Sequence, residues 1–82
     1  MEELFLKNYI SKLTKEDIIA YLNKENIKVS NIDIEVIYEY IKKYFMIFYK
    51  GEPNYLFKEL KDKLSPIAYD KALELYKKYK KS

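Results

Sequence analysis

The sequence contains no cysteine, histidine, tryptophan or arginine, and it has one glycine (Gly51) and two prolines (Pro53 and Pro66). Without cysteine there are no disulfides and no thiol chemistry, and zinc loses both of its preferred ligand types. Without histidine, a nucleophilic serine lacks its usual base. A single glycine excludes a glycine-rich phosphate loop. We therefore expect a non-enzymatic protein with no catalytic residue, cofactor or metal.

The chain is short but rich in apolar residues. Of 82 residues, 49% are hydrophobic and 35% charged, which is typical of a globular chain, and we predict a single domain over 1–82. The longest apolar run, 44–49, is far too short to span a membrane. The opening residues carry no signal-peptide pattern, and the absence of cysteine fits a reducing compartment, so we expect a cytoplasmic protein.

Apolar residues recur at spacings of three and four, which predicts helix throughout. We predict an all-α compact bundle of about five helices, over 2–12, 15–25, 31–49, 54–63 and 66–80. Thr14, Ser30 and Ser65 suit N-cap positions, and Asn26 suits a left-handed position after the second helix. The third helix is the longest and is apolar on two sides, so we expect it at the centre.

The shorter helices carry narrower apolar stripes. The first presents Phe5, Leu6, Tyr9, Ile10 and Leu13. The second presents Ile18, Ile19 and Leu22, and we expect it to bury all three.

The run from Tyr44 to Tyr49 is the most informative feature, because on a helix its six side chains point in every direction. Either the fourth and fifth helices cover it, or part of it binds a partner protein or a second copy of the chain. The candidate protein interface consists of Tyr44, Phe45, Ile47, Phe48 and Tyr49. A protein-interaction module, with a homodimer as one form, is therefore the leading functional hypothesis.

Charge is distributed unevenly along the chain. Residues 1–41 carry five lysines and eight acids, a net charge of −3, whereas residues 42–82 carry eleven lysines and five acids, a net charge of +6. The candidate basic face consists of Lys58, Lys61, Lys77, Lys78 and Lys81. Weak nucleic-acid binding without sequence preference is the alternative hypothesis. No pattern indicates a small-molecule substrate.

A third hypothesis concerns carboxylates on the third helix. Glu35 and Glu39 lie one turn apart and follow Asp33, so they are candidates for a divalent cation. The ordinary interpretation is that Asp33 belongs to the first helical turn and that Glu39 pairs with Lys43 in solvent.

The order of these signals is familiar. The segments FLKNYI, LTKEDIIAYL, IEVIYEYIKKY and LFKELKDKLSP stand in this order along most of the chain. In this order the sequence resembles a family of short all-helical proteins of unknown function from low-GC Gram-positive bacteria. The resemblance implies a small helical bundle and carries no activity or functional residue.

Overall fold

A computed structural model describes residues 2–79 of the chain and the side chains of residues 4–78. Over this range the protein forms five α-helices and no strand. The helices are α1 (Glu2–Lys12), α2 (Lys15–Lys24), α3 (Asn31–Lys50), α4 (Asn54–Lys63) and α5 (Pro66–Tyr79). The all-α prediction is confirmed, and the predicted helix bounds agree to within one residue.

The helix starts follow from local hydrogen bonds. At α2, the Asp17 amide donates to Thr14 Oγ1 (3.2 Å), and the Thr14 amide donates back to the Asp17 carboxylate (3.0 Å). At α3, Ser30 and Asp33 make the same reciprocal pair, each bond 3.1 Å long. These capping boxes satisfy backbone donors that a helix start otherwise leaves free.

The turn after α2 also forms as its sequence predicts. Asn26 has a φ of 59°, in the left-handed region that asparagine tolerates. The Ile27 amide then donates to the Leu22 carbonyl (2.8 Å), and the Asn26 amide donates to the Asn23 carbonyl (3.1 Å). These two bonds make a Schellman motif, which ends the helix and turns Ile27 back toward it.

Helix α3 is the longest and the most central, because every other helix packs against it. It is kinked at Tyr44, where φ is −125° and ψ is 17°. Neither proline nor glycine lies at the kink. The interruption separates the apolar stripe before residue 44 from the aromatic residues after it.

Two hydrophobic cores flank α3. The first joins α3 to α4 and α5 and contains Tyr40, Leu56, Phe57, Leu60, Leu64 and Ala68. The second joins α3 to α2 and the end of α1 and contains Leu13, Ile18, Leu22 and Ile34. Val29 and Ile37 pack against both. The Cα radius of gyration is 12.3 Å, close to the value of about 12 Å for a compact chain of this length.

One sequence expectation about burial is wrong. Ile19 is 37% exposed, because within residues 2–79 α2 packs only on α3 and a single helix covers only the face of Ile18 and Leu22. Phe5 and Tyr9 of α1 are 74% and 58% exposed, because α1 likewise has only α3 as a neighbour within residues 2–79.

Candidate functional site

An apolar cleft lies over α3, between the α1–α2 side and the α4–α5 side. Within residues 2–79, the backbones of α1 and α2 do not come into close contact with those of α4 or α5. The cleft has a volume of about 460 Å³. At the density of liquid water, that is room for about fifteen water molecules.

The walls of the cleft are almost entirely apolar. The lining residues include Leu6, Tyr9 and Ile10 of α1, Phe45, Phe48 and Tyr49 of α3, and Ala72, Leu75 and Tyr76 of α5. Asp17 and Lys71 are the only charged side chains among the described lining residues. Apolar clefts of this size are typical of sites that take up an apolar ligand or side chains of a partner.

The structure divides the predicted aromatic interface between core and cleft. Tyr44 and Ile47 pack against the α3–α4–α5 core, and the centre of the Tyr44 ring lies 5.3 Å from the centre of the Tyr40 ring. Phe45 and Tyr49 line the cleft. Phe48 belongs to both: the centre of its ring lies 5.4 Å from that of the Phe57 ring, and Phe48 also lines the cleft. All five predicted interface residues are half-buried.

Helix α1, one wall of the cleft, is held at its C-terminal end by a lysine of α3. Lys42 Nζ donates to the backbone carbonyls of Ile10 (2.9 Å), Ser11 (2.9 Å) and Leu13 (3.3 Å). A cation suits this position, because the last carbonyls of a helix have no intrahelical donor and carry partial negative charge. Lys42 thus fixes α1 at one end.

The outer face of α1 is apolar and exposed. Leu4, Phe5 and Tyr9 are 60%, 74% and 58% exposed. Because Tyr9 also lines the cleft, the exposed patch continues into it. Sequence reasoning missed this surface, although three consecutive apolar residues, Leu4 to Leu6, already showed that one packed face cannot cover them all.

The predicted basic face is solvent-exposed but mixed in sign. Lys58 and Lys61 on α4, and Lys77 and Lys78 on α5, are all exposed, while Lys81 lies outside the described residues. Exposed acids alternate with them: Glu59 and Asp62 on α4, and Asp70 and Glu74 on α5. Such alternation weakens the field that would attract phosphates. Nucleic-acid binding stays a prediction, with little support from this arrangement.

The three carboxylates of the cation hypothesis point to different partners. Glu35 Oε1 pairs with Lys15 Nζ at 3.2 Å, at the edge of a polar recess that also contains Glu39 and Tyr38. Asp33, in contrast, is buried and lies against Ser65. Over the described part of the chain, no group of three acids is placed to hold a metal ion.

Asp33 instead joins the starts of α3 and α5. Its carboxylate accepts hydrogen bonds from the Ser65 amide (2.9 Å) and the Ser65 hydroxyl (2.8 Å), besides the Ser30 amide. Ser65 Oγ in turn accepts from the Ala68 amide (3.4 Å) as the predicted cap of α5. Burial raises the pKa of Asp33, but the bonds from Ser65 and Ser30 outweigh it and hold this pKa below its usual value.

A second polar link joins α3 to α4. The Tyr40 hydroxyl donates to Glu59 Oε1 (2.6 Å), and Lys63 Nζ lies 5.3 Å from the centre of the Tyr40 ring. The hydrogen bond to Glu59, together with burial, raises the pKa of Tyr40. The two polar links thus tie α3 to α4 and α5, and Tyr40 also contributes to the lining of the cleft.

Comparison of the chain with protein-family models, with curated proteins and with solved structures gives no match. The resemblance to short all-helical bacterial proteins therefore stays a prediction. Among the described residues, no helix has the length and apolar character needed to cross a membrane.

Proposed function

We propose that this protein is a non-enzymatic protein-interaction module that binds the apolar face of a partner helix in the cleft between α1 and α5. The observation that carries the proposal is the continuous apolar surface running from the exposed face of α1, through Tyr9, to Phe45 and Tyr49. Large continuous apolar surfaces on small proteins are typical of interaction sites.

The shape of the cleft favours a helix as the ligand. Its two sides stand apart over α3, much as two helices of a bundle flank the place of a missing third. An amphipathic helix binds such a groove by laying apolar residues from successive turns along it. The charged lining residues, Asp17 and Lys71, are few enough to leave the groove apolar.

The proposed site keeps three of the five interface residues predicted from the sequence. Phe45, Phe48 and Tyr49 remain in the proposed site, whereas Tyr44 and Ile47 support it from the core side. The residues added are those of α1 and α5 that form the walls. A cytoplasmic location belongs to the same proposal, and the absence of cysteine supports it.

A fluorescently labelled amphipathic peptide of leucine, lysine and glutamine, long enough to form four helical turns, is the probe that tests the proposal. Fluorescence anisotropy of the peptide should rise on titration with the full chain. NMR should place the shifted resonances at Phe45, Tyr49 and Leu75. A peptide of the same composition in scrambled order, without an apolar face, should bind at least tenfold more weakly.

Two variants make the test specific. Ala72→Phe adds a ring inside the cleft and should abolish binding, whereas Ile67→Phe places the same ring at an exposed position of the same helix and should not. NMR dispersion verifies that each variant is folded. Absence of binding to the native chain, or equal binding by the chain carrying Ala72→Phe, would overturn the proposal.

A further inference from the structure

We infer that α1 is a lid over the cleft, which pivots about its own C-terminal end and closes the cleft when no partner is bound. This inference rests on the proposed function and adds its regulation, since a partner helix binds only while α1 stands open. The structure shows the open arrangement: among residues 2–79, no Cα atom of α1 lies within 8 Å of a Cα atom of α5.

Helix α1 is loosely packed in the described structure. None of its side chains at residues 4–12 is buried, whereas each of the other four helices buries at least one side chain. Within residues 2–79, its only close neighbour is α3. The side chains at residues 4–12 make one hydrogen bond, which is internal to the helix, from the Ser11 hydroxyl to the Asn8 carbonyl (2.8 Å). An element with so few buried contacts moves at low cost.

Two firm contacts at the C-terminal end of α1 define a pivot. Lys42 Nζ donates to the carbonyls of Ile10, Ser11 and Leu13 over distances of 2.9–3.3 Å. Leu13, the residue after α1, is only 8% exposed and belongs to the core shared by α2 and α3. Because both contacts lie at the same end, they persist while the helix tilts about that end as a rigid rod.

The length of α1 suits the width of the cleft. An 11-residue helix is about 16 Å long. Spread along that length, the cleft volume of about 460 Å³ corresponds to a gap about 5 Å across. A tilt of about 25° about the C-terminal end displaces the N-terminal end by about 7 Å. A modest tilt of α1 therefore closes the cleft.

The two walls are chemically matched for closure. Leu6 and Ile10 of α1 are half-buried and line the cleft, as do Ala72 and Leu75 of α5. Closure brings these apolar walls together and removes their surface from water, which is favourable. A partner helix supplies the same contacts and so competes with α1. Because only the open form binds, the affinity for the partner is reduced by the fraction of chains that are open.

Disulfide trapping detects closure directly, because the native chain has no cysteine. Leu6→Cys with Leu75→Cys places one thiol on each wall of the cleft. A disulfide needs Cα atoms no more than about 7 Å apart, so the open form cannot make it. In oxidised glutathione the bond should form as α1 closes. Lys7→Cys with Leu75→Cys is the matched control, since Lys7 is exposed and does not line the cleft, and it should react at least tenfold more slowly.

The trapped chain then reports on binding. After oxidation, the chain with Leu6→Cys and Leu75→Cys should bind the amphipathic peptide at least tenfold more weakly than the same chain after reduction, because its cleft is locked shut. Equally tight binding by the two forms overturns the inference, and so does a reaction no faster than that of the control pair. If the peptide binds neither form although the disulfide forms rapidly, the proposed function fails while closure of α1 stands.

Spin labels measure the same movement without altering the walls of the cleft. Leu4→Cys on α1 and Lys77→Cys on α5 are both exposed positions outside the cleft lining. The peptide should lengthen the distance between their labels by about 5 Å, the displacement of Leu4 in the expected tilt. Glu16→Cys on α2 with Lys77→Cys is the control pair, and its distance should stay unchanged. If the peptide binds and the first distance does not change, α1 is not a lid, and the proposed function is unaffected.

Discussion

The two sides of α3 differ in how they are packed. On the α4–α5 side, the centre of the Phe57 ring lies 5.1–6.4 Å from the centres of the Phe48, Tyr69 and Tyr76 rings. Leu56 on the same side is only 1% exposed. On the α1–α2 side, the buried residues are aliphatic, and α1 keeps much of its apolar surface outside. Capping boxes begin α2 and α3, whereas α4 begins without a side-chain cap, so the tighter packing around α4 does not come from better helix capping.

This contrast assigns stability and binding to different parts of the molecule. A core of interlocking rings and leucines contributes most of the free energy of folding in a chain this small. A helix held by one neighbour contributes less and has apolar surface left for a partner. The same α3 serves both, since its residues face the core on one side and the cleft on the other.

The sharpest test of the contrast compares two leucines. Leu56→Ala, in the tight core, should lower the free energy of unfolding by about 3 kcal/mol, because its side chain is fully enclosed and leaves a cavity. Leu6→Ala, in the half-buried wall of the cleft, should cost about 1 kcal/mol.

Urea unfolding measures the free energy of unfolding of both leucine variants. The native chain under the same conditions is the reference. Equal losses for the two variants would show that α1 is as firmly packed as α4, which contradicts the assignment of stability to one side.

The second prediction concerns the polar link between the starts of α3 and α5. Asp33→Asn should lower the free energy of unfolding at neutral pH by about 2 kcal/mol, because it disturbs bonds from Ser30 and Ser65 at a residue only 2% exposed. Asp17→Asn is the matched control, since Asp17 makes the same capping box at an exposed site, and it should cost about 0.5 kcal/mol.

The pH dependence of stability gives an independent measure of Asp33. Since its pKa is lower in the folded than in the unfolded state, its carboxylate contributes stability that is fully present above the unfolded value near 4. That contribution is lost as pH falls through the lower folded pKa. The native chain should therefore lose stability more steeply than the chain carrying Asp33→Asn in acid. Parallel pH profiles would contradict the role given to this carboxylate.

Features that depend on residues close together in the sequence were predictable. The capping boxes at Thr14 and Ser30 and the turn at Asn26 depend on residues three to five apart, and the sequence predicted all of them. Helix bounds followed for the same reason. The central place of α3 was also predictable, because a helix that is apolar on two sides needs neighbours on both.

Features that depend on residues far apart in the sequence could not be predicted from it. The kink at Tyr44 has no proline or glycine in the sequence to mark it. The bond from Ser65 to Asp33 joins residues 32 positions apart. The cleft exists because α1 and α5 fail to meet, and helical periodicity describes each helix but not the gap between two of them.

The smallest predicted effect concerns how α1 is held. Lys42→Met keeps the apolar stem of the side chain but removes the amine that donates to the carbonyls of Ile10, Ser11 and Leu13. We expect a loss of about 1 kcal/mol, confined to α1, since these bonds stabilise one helix end at a half-buried site. Amide hydrogen exchange should therefore show roughly fivefold faster exchange in α1.

Amides of α4 and α5 supply the internal reference for this measurement, because the substitution leaves the aromatic core untouched. Lys43→Met is the matched control variant: Lys43 is exposed, and its amine lies 5.6 Å from the centre of the Tyr44 ring. It should leave exchange in α1 unchanged. If Lys42→Met accelerated exchange equally in every helix, α1 would unfold only together with the whole chain, and the two sides of α3 would form one cooperative unit.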